Sequence, residues 1–269
     1  MAKPVVFIDS GVGGLPYCKD FLEKNPREEV CFLADRLHFP LGPRDRNEIS
    51  DIMISLTENI LKKLDPKIIV LACNTATVSA LEPLRRRYPG FLFVGTVPAV
   101  KPAVYASKTG IIGVLGTERT IEDPFLRQIA DDTGVKCNIF AIAAPDLVEF
   151  IENRFHEADE KEKKEITRKY VNIFRAERAD TLVLGCTHFL HLLDVFRREA
   201  SPSIAVFESL DGITKRIEFL LDGNGGELRS QNESVPVHRL IITGDKPPDP
   251  HWVFHARVLG FKLCLFNEI

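Results

Sequence analysis

Two cysteines occupy equivalent places in two similar stretches of the sequence. Residues 68–75 read Ile-Ile-Val-Leu-Ala-Cys-Asn-Thr, and residues 181–188 read Thr-Leu-Val-Leu-Gly-Cys-Thr-His. Each cysteine, Cys73 or Cys186, directly follows an apolar run typical of a buried strand. In an open parallel sheet, ligands bind outside the carboxyl ends of the strands. A helix that begins there favours the thiolate and lowers the pKa of a thiol from about 8.5.

Two thiols on opposite sides of one ligand could invert a carbon centre. One thiolate would remove a proton from the carbon next to a carboxylate, and the other thiol would return a proton to the opposite face. Cys73 and Cys186 are therefore candidate acid/base residues. The alternative is that they are small buried residues at strand ends, without a chemical role.

Asp9 and His188 are candidate partners of the two thiols. Asp9 ends an apolar run, so its carboxylate requires a hydrogen bond or a ligand cleft. The glycines at 11, 13 and 14 follow Ser10 and can present amide groups to a carboxylate at a helix start. Asp9 could instead only cap that helix. His188 could tune the thiol two residues before it or relay protons, and an ordinary capping histidine is the alternative.

Other chemical motifs are incomplete. The run Gly11–Pro16 resembles a dinucleotide-binding loop, but Pro16 stands in the place of the third glycine. The sequence has no Gly-Lys-Ser/Thr phosphate loop, and neither cysteine is followed six residues later by an arginine. His191, His251 and His255 do not complete a zinc ligand set. We therefore expect no metal and no other cofactor.

Composition predicts an ordinary globular protein. The chain has 269 residues, 45% hydrophobic and 27% charged, with a net charge of −3. This charge gives no reason to expect nucleic acid or an anionic membrane surface as a partner. No apolar run is long enough to span a membrane, and the first residues lack the pattern of a signal peptide. The cysteines are scattered without a Cys-x-x-Cys pair, which argues against a disulfide framework or a structural zinc site. We expect a cytoplasmic location.

Alternation of apolar runs with amphipathic stretches predicts an α/β fold with mainly parallel sheets. Because the runs lack in–out alternation, helices should cover both faces of each sheet. The two cysteine segments, and a weaker similarity of residues 8–11 to 115–117, indicate two related, pseudo-symmetric lobes. The predicted strands cover residues 5–8, 30–33, 68–71, 91–94, 111–115, 135–140, 181–184 and 204–207.

These motifs together resemble the cofactor-independent amino-acid racemases of the aspartate/glutamate racemase superfamily, and within it the glutamate racemases. The resemblance spans nearly the whole chain. It rests on residues 9–15, Asp35 with Pro40-x-Gly42, and residues 72–76, 97–103, 113–117 and 184–188.

The resemblance implies both an architecture and an activity. The fold would be two α/β lobes with the active site in the cleft between them, the first lobe at 1–97 plus 208–269 and the second at 98–207. The activity would be reversible conversion of L-glutamate to D-glutamate for peptidoglycan synthesis, without a cofactor. Glutamate would be the small-molecule partner, and a homodimer is expected.

The resemblance also implies site residues. Cys73 and Cys186 would be the acid/base pair, assisted by Asp9 and His188, with Glu149 as an additional acidic helper. The glutamate site would be lined by Asp9, Ser10, Pro40, Leu41, Gly42, Asn74, Thr75, Thr187 and His188. Two positions depart from the family pattern, in which tyrosine is usual: Leu41 and Phe189. With leucine at position 41, the phenol that the family's tyrosine places near the substrate is missing, so the substrate specificity could differ.

Alternative functions stay open at this point. A related racemase could act on aspartate or another amino acid. A cysteine hydrolase could use Cys186 with His188, but Cys73 would then have no role. A racemase-like protein could also be retained for binding, for example as a regulator of DNA gyrase.

Overall fold

The structure is a computed structural model that describes residues 3–231 and 234–269. Elements are numbered along the chain. The strands are β1 Val5–Asp9, β2 Val30–Ala34, β3 Ile68–Leu71, β4 Phe93–Gly95, β5 Ile111–Gly116, β6 Asn138–Ala143, β7 Thr181–Leu184, β8 Ala205–Phe207, β9 Arg239–Ile242 and β10 Lys262–Leu265. The α-helices are α1 Leu15–Lys24, α2 Arg46–Leu64, α3 Asn74–Arg87, α4 Val100–Ala106, α5 Glu118–Glu122, α6 Phe125–Asp131, α7 Pro145–Asn153, α8 Glu160–Ala176, α9 Leu193–Ala200, α10 Leu210–Leu221, α11 Gly223–Gly226 and α12 Pro250–Leu259. Short 3-10 helices cover Arg36–His38, Thr187–Leu192 and Phe266–Glu268.

The chain divides into two units. Unit 1 comprises Met1–Thr96 and Leu210–Ile269, and unit 2 comprises Val97–Ser209. Each unit contains one sheet and the helices that connect its strands.

The sheet of unit 1 has the order β10-β9-β2-β1-β3-β4, and its pairings are parallel. β1, β2 and β3 are buried along their whole length, because helices connect parallel strands across both faces of a sheet. The inner face of α2 packs on this sheet through Ile49, Met53 and Ile60. The sheet therefore provides a rigid base for residues that follow its strands.

The sheet of unit 2 has the order β6-β5-β7-β8, again with parallel pairings. This order repeats β2-β1-β3-β4 of unit 1, with β5 in the place of β1 and β7 in the place of β3. Cys73 follows β3 and Cys186 follows β7. Each of these strands comes third along the chain in its unit, and the two strands have equivalent places in the sheets.

The predicted α/β class with mainly parallel sheets is confirmed, and the like order of the two sheets fits the predicted pseudo-symmetry. Each predicted strand has a counterpart, and β6 lies three residues later than its predicted segment. Its register explains the shift, because Asn138 pairs with Ile111 at the start of β5. A second difference follows Cys186, where the chain enters a 3-10 helix before α9.

Candidate active site

Asp9 and Cys73 lie at the carboxyl ends of neighbouring strands in unit 1. β1 and β3 pair in parallel, with Ile8 opposite Leu71. The N–H of Ala72 then donates to the carbonyl oxygen of Ile8 at 2.8 Å. The Asp9 residue is 1% exposed and Cys73 is 8% exposed. Pairing of the two strands therefore brings both predicted residues to one edge of the sheet.

Cys73 is the N-cap residue of α3. Its backbone is extended, with φ −140° and ψ 120°, and the helix follows directly. Asn74 and Thr75 form the first turn, and both are buried. The amide N–H groups at a helix start carry partial positive charge, so they favour a negative group at this place. The cysteine sulfur, or a substrate carboxylate beside it, could receive this stabilisation.

The start of α1 packs closely behind Cys73. Asp9 Oδ1 accepts a hydrogen bond from the N–H of Ser10 at 2.6 Å, and the chain then turns through the glycine-rich segment. A Cβ at Gly14, the N-cap of α1, would lie 2.7 Å from the Cβ of Ala72 and 2.9 Å from its carbonyl oxygen. A glycine is therefore needed where α1 meets the residue that precedes Cys73.

The three residues of the segment Pro40–Gly42 differ in their exposure. The side chain of Leu41 is buried, with only 2% of the residue exposed, and it belongs to the hydrophobic core cluster that also contains Cys73. Pro40 is exposed and Gly42 is half-buried. Because the Leu41 side chain packs into the core, a ligand contact at this position would come from the backbone.

Cys186 has a corresponding place in unit 2. The N–H of Gly185 donates to the carbonyl oxygen of Leu115 at 2.6 Å, which ties the end of β7 to β5. Cys186 is 5% exposed and is the N-cap residue of the 3-10 helix Thr187–Leu192. Thr187 is buried. The Phe189 ring, at a position where the resembling family usually has tyrosine, is fully buried.

His188 links the Cys186 thiol to a buried acid. Its Nδ1 lies 3.7 Å from Cys186 Sγ, and its Nε2 lies 3.0 Å from Glu152 Oε2. Burial lowers the pKa of His188, but the hydrogen bonds to Cys186 and Glu152 more than offset this, so the pKa lies well above its ordinary value. A protonated His188 stabilises a thiolate at Cys186 and can also supply a proton to it. This chain of contacts is suited to acid/base chemistry.

The acid that contacts His188 is Glu152, and not the predicted Glu149. Both residues lie on α7, but Glu149 is exposed, whereas the Glu152 side chain is 0% exposed. Helix geometry explains the difference. Each residue turns an α-helix by 100°, so Glu149 lies about 200° from the buried Leu147, on the opposite face. Glu152 directly follows Ile151, which is also buried. The helical period therefore places Glu149 on the outer face, but Glu152 lies about 140° from Leu147 and is identified by its contact with His188 in the structure.

The predicted site residues thus form two groups, one in each unit. In unit 1 the residues lie after β1, between β2 and α2, and after β3: Asp9, Ser10, Pro40, Leu41, Gly42, Cys73, Asn74 and Thr75. Unit 2 brings together Cys186, Thr187, His188 and Glu152. Within residues 3–231 and 234–269, no cluster of three or more His, Cys, Asp or Glu side chains is arranged to hold a metal ion. None of the helices in this part of the chain has the length and apolar character of a membrane span.

The chain is similar to known proteins along most of its length. The family model described as Asp/Glu/Hydantoin racemase matches residues 21–215. A glutamate racemase from Roseiflexus sp. (strain RS-1) is 33% identical over 244 residues, which cover 91% of this chain and 88% of the relative.

Two solved structures are similar along almost the whole chain. Glutamate racemase isoform RacE1 from Bacillus anthracis superposes with a TM-score of 0.81 at 26% identity, covering 98% of this chain and 96% of that one. Escherichia coli glutamate racemase, in complex with L-glutamate and the activator UDP-MurNAc-ala, gives a TM-score of 0.83 at 25% identity, covering 98% and 97%. The chain therefore belongs to the Asp/Glu/hydantoin racemase family.

Proposed function

We propose that Cys73 and Cys186 are the two acid/base residues with which this chain interconverts L-glutamate and D-glutamate. The observation that carries the proposal is the equivalent position of the two thiols, each two residues after the strand that comes third along the chain in its unit. The activity itself agrees with the family, an isomerase family, and with relatives that are glutamate racemases.

The proposed reaction moves two protons and leaves no net change on the enzyme pair. One sulfur begins as thiolate and takes the α-proton of the bound glutamate. The other begins as thiol and gives its proton to the opposite face of the same carbon. The carbon is thereby inverted, and the two cysteines have exchanged protonation states. The reverse reaction uses them in the opposite order, so only protein groups are required.

The neighbours of each thiol have distinct proposed roles. On the Cys73 side, Asp9 assists proton transfer, and the start of α3 supplies amide groups. On the Cys186 side, protonated His188 stabilises the thiolate, and Glu152 holds His188 in its charged form. The small polar residues Ser10, Asn74, Thr75 and Thr187 and the backbone of Gly42 hold the ammonium and carboxylate groups of glutamate.

Isotope exchange at the α-carbon tests this proposal. Purified protein in deuterium oxide, given L-glutamate without added cofactor, should form D-glutamate that carries deuterium at the α-carbon. Cys73→Ser and Cys186→Ser should each lower racemisation by about a thousandfold or more, because a serine hydroxyl is a far weaker base than a thiolate. Cys137→Ser and Cys264→Ser, which change half-buried cysteines outside both groups, are the matched controls.

Two results would contradict the proposal. Folded wild-type protein that leaves L-glutamate unlabelled would reject the activity. A Cys73→Ser variant with near wild-type turnover would reject the two-thiol mechanism, and it would favour chemistry at Cys186 alone. The same assay with L-aspartate tests the alternative substrate, which the glutamate racemase relatives do not favour.

The cellular setting is part of the same proposal. The D-glutamate formed would serve peptidoglycan synthesis in the cytoplasm, as the family resemblance implies. The homodimer expected from the sequence also stays a prediction, and sedimentation of the purified chain would test it.

A further inference from the structure

Unit 1 contains a cavity that is not lined by any of the residues proposed to act on glutamate. It has a volume of about 680 Å³ and lies beside the carboxyl ends of β2 and β9. One face of α2 and the 3-10 helix Phe266–Glu268 contribute to its walls. Asp9 and Cys73 do not line it. Cavities of roughly 300–1,000 Å³ are the usual size of small-molecule sites.

A histidine at this cavity is held in a fixed orientation by a buried acid. Asp35 follows β2 and is 1% exposed. Its Oδ2 lies 2.7 Å from His38 Nδ1, and its Oδ1 accepts a hydrogen bond from Thr243 Oγ1 at 2.8 Å. Since a carboxylate only accepts, Nδ1 of His38 carries the proton. In the neutral ring, Nε2 is then an acceptor, and it can receive a hydrogen bond from a ligand.

The charged groups at the cavity favour a positive ligand. Its lining includes Asp51 and Asp245, whose carboxylates are on exposed residues. Asp245 Oδ1 accepts from the neutral amide of Asn267 at 3.0 Å, so this contact does not compensate its charge. The one lysine of the lining is Lys63. Its ammonium group donates to the backbone oxygen of Ile269 and lies 5.4 Å from the centre of the Phe266 ring, so it stays charged and offsets one of the two exposed carboxylates.

Apolar side chains form the remaining walls. Leu37 is 65% exposed at the cavity, an unusual exposure for a leucine that a bound molecule would reduce. Ile52, Leu56 and the ring of Phe266 line the cavity as well. An apolar or aromatic body of a ligand could pack against these side chains while a charged group reaches the carboxylates.

We propose that this cavity binds a small organic cation, with a primary ammonium group on an apolar or aromatic body. The ammonium group donates to the Asp51 and Asp245 carboxylates and to Nε2 of His38. The body covers Leu37 and contacts Phe266. The cavity shares no lining residue with the proposed glutamate site, so binding is measured without reference to turnover.

The test compares two probes that share a phenyl body and differ in charge. Titration of the full chain with 2-phenylethylamine, followed by calorimetry or NMR, should give saturable binding, whereas 3-phenylpropionate should bind more weakly or not at all. The double variant Asp51→Asn/Asp245→Asn should weaken the amine about fivefold or more, because it removes both compensating charges. Glu58→Gln, an exposed acid of α2 that pairs with Lys62 outside the cavity, is the control and should leave binding unchanged.

Three outcomes would overturn the proposal. The first is no binding of the amine up to about 10 mM, a dissociation constant that corresponds to a binding free energy of about −3 kcal/mol. The second is equal or tighter binding of the carboxylate, and the third is the same amine affinity in the double variant as in Glu58→Gln. A wild-type thermal transition in both variants shows that the fold is retained, since the three acids are exposed.

Discussion

The Nε2 atom of His188 lies 3.0 Å from Oε2 of Glu152, and both side chains are buried, 6% and 0% exposed. The other ring nitrogen faces Cys186 Sγ at 3.7 Å. A buried imidazole without such partners would lose its proton, because burial disfavours the charged form. Here the two partners raise the pKa of His188 well above its ordinary value, so the ring stays protonated at neutral pH.

The first prediction concerns Glu152→Gln. Removing the carboxylate removes a group that raises the pKa of His188, so this pKa should fall. The ring then loses its proton at lower pH, and the alkaline limb of the pH profile of kcat should move to lower pH. We expect kcat at neutral pH to fall about 10- to 100-fold, because a general acid/base partner has lost its support. Racemisation rates measured across the pH range test this.

Glu149→Gln is the matched control for that variant. It makes the same chemical change on the same helix, but on an exposed residue. Its kcat and pH profile should match those of the wild type. If the two variants had the same profile, the proposed role of Glu152 would be wrong.

The second prediction concerns the order in which the thiols react. Burial raises the pKa of Cys31 to about 11, so only about a thousandth of this thiol is ionised at pH 8. Burial also raises the pKa of Cys18 well above its ordinary value. Iodoacetamide at pH 8 should therefore alkylate Cys186, which lies beside protonated His188, well before Cys31 or Cys18.

Peptide mass spectrometry after timed labelling measures this order. L-glutamate should slow the labelling of Cys186 and leave the rate at Cys31 unchanged. In urea-unfolded protein, the difference between the cysteines should disappear. Labelling of Cys31 before Cys186 in the folded protein would contradict the assignment.

Much of the fold could be predicted from the sequence because buried parallel strands are continuous apolar runs. Those runs located β1 to β8, and the ends of two of them located Cys73 and Cys186 at the carboxyl edge of each sheet. β6 was the least accurate strand, because its start is set by pairing with β5 and not by its own pattern.

The sequence was less informative where packing decides the role of a side chain. Leu41 stands in a motif that predicts substrate contact, yet its side chain fills the core of unit 1. Glu149 fits a short local motif, but it faces outwards, and only the packing of the folded chain shows that Glu152 faces His188. Neither choice follows from residue type alone, because both depend on which face of an element is buried.

The third prediction compares two threonines. Thr243 Oγ1 donates to Asp35 and accepts from the N–H of Leu37 at 3.2 Å. Thr243→Val leaves a buried carboxylate and a backbone donor without this partner, which should lower the free energy of unfolding by about 1–3 kcal/mol. Urea unfolding of the variant and the wild type measures the difference.

Thr57→Val should have the opposite effect. The Thr57 hydroxyl is buried on α2 and has no hydrogen-bond partner in the described structure. Replacing it by a methyl group of the same shape removes a desolvation cost, so the free energy of unfolding should stay equal or rise by about 1 kcal/mol. Equal losses in the two variants would show that the Asp35–Thr243 bond does not stabilise unit 1.

The fourth prediction is that Cys73 is correctly positioned only when residue 14 is a glycine. An alanine at this position brings its Cβ to 2.7 Å from the Cβ of Ala72 and 2.9 Å from its carbonyl oxygen. The backbone next to Cys73 must then move. We expect a loss of about 1–3 kcal/mol in the free energy of unfolding and a fall in kcat/KM of about tenfold or more, since small displacements of a reacting group slow catalysis strongly.

Gly212→Ala separates this effect from that of any added methyl group. Gly212 lies in α10, is exposed, and has no atom within 4 Å of an added Cβ. Alanine is favoured over glycine in a helix, so the free energy of unfolding should rise by about 0.5–1 kcal/mol, with kcat/KM unchanged. Urea unfolding and racemisation of both variants provide the comparison. If Gly14→Ala retained wild-type kcat/KM while the protein was destabilised, the contact between α1 and Ala72 would support the fold of unit 1 without positioning the Cys73 thiol.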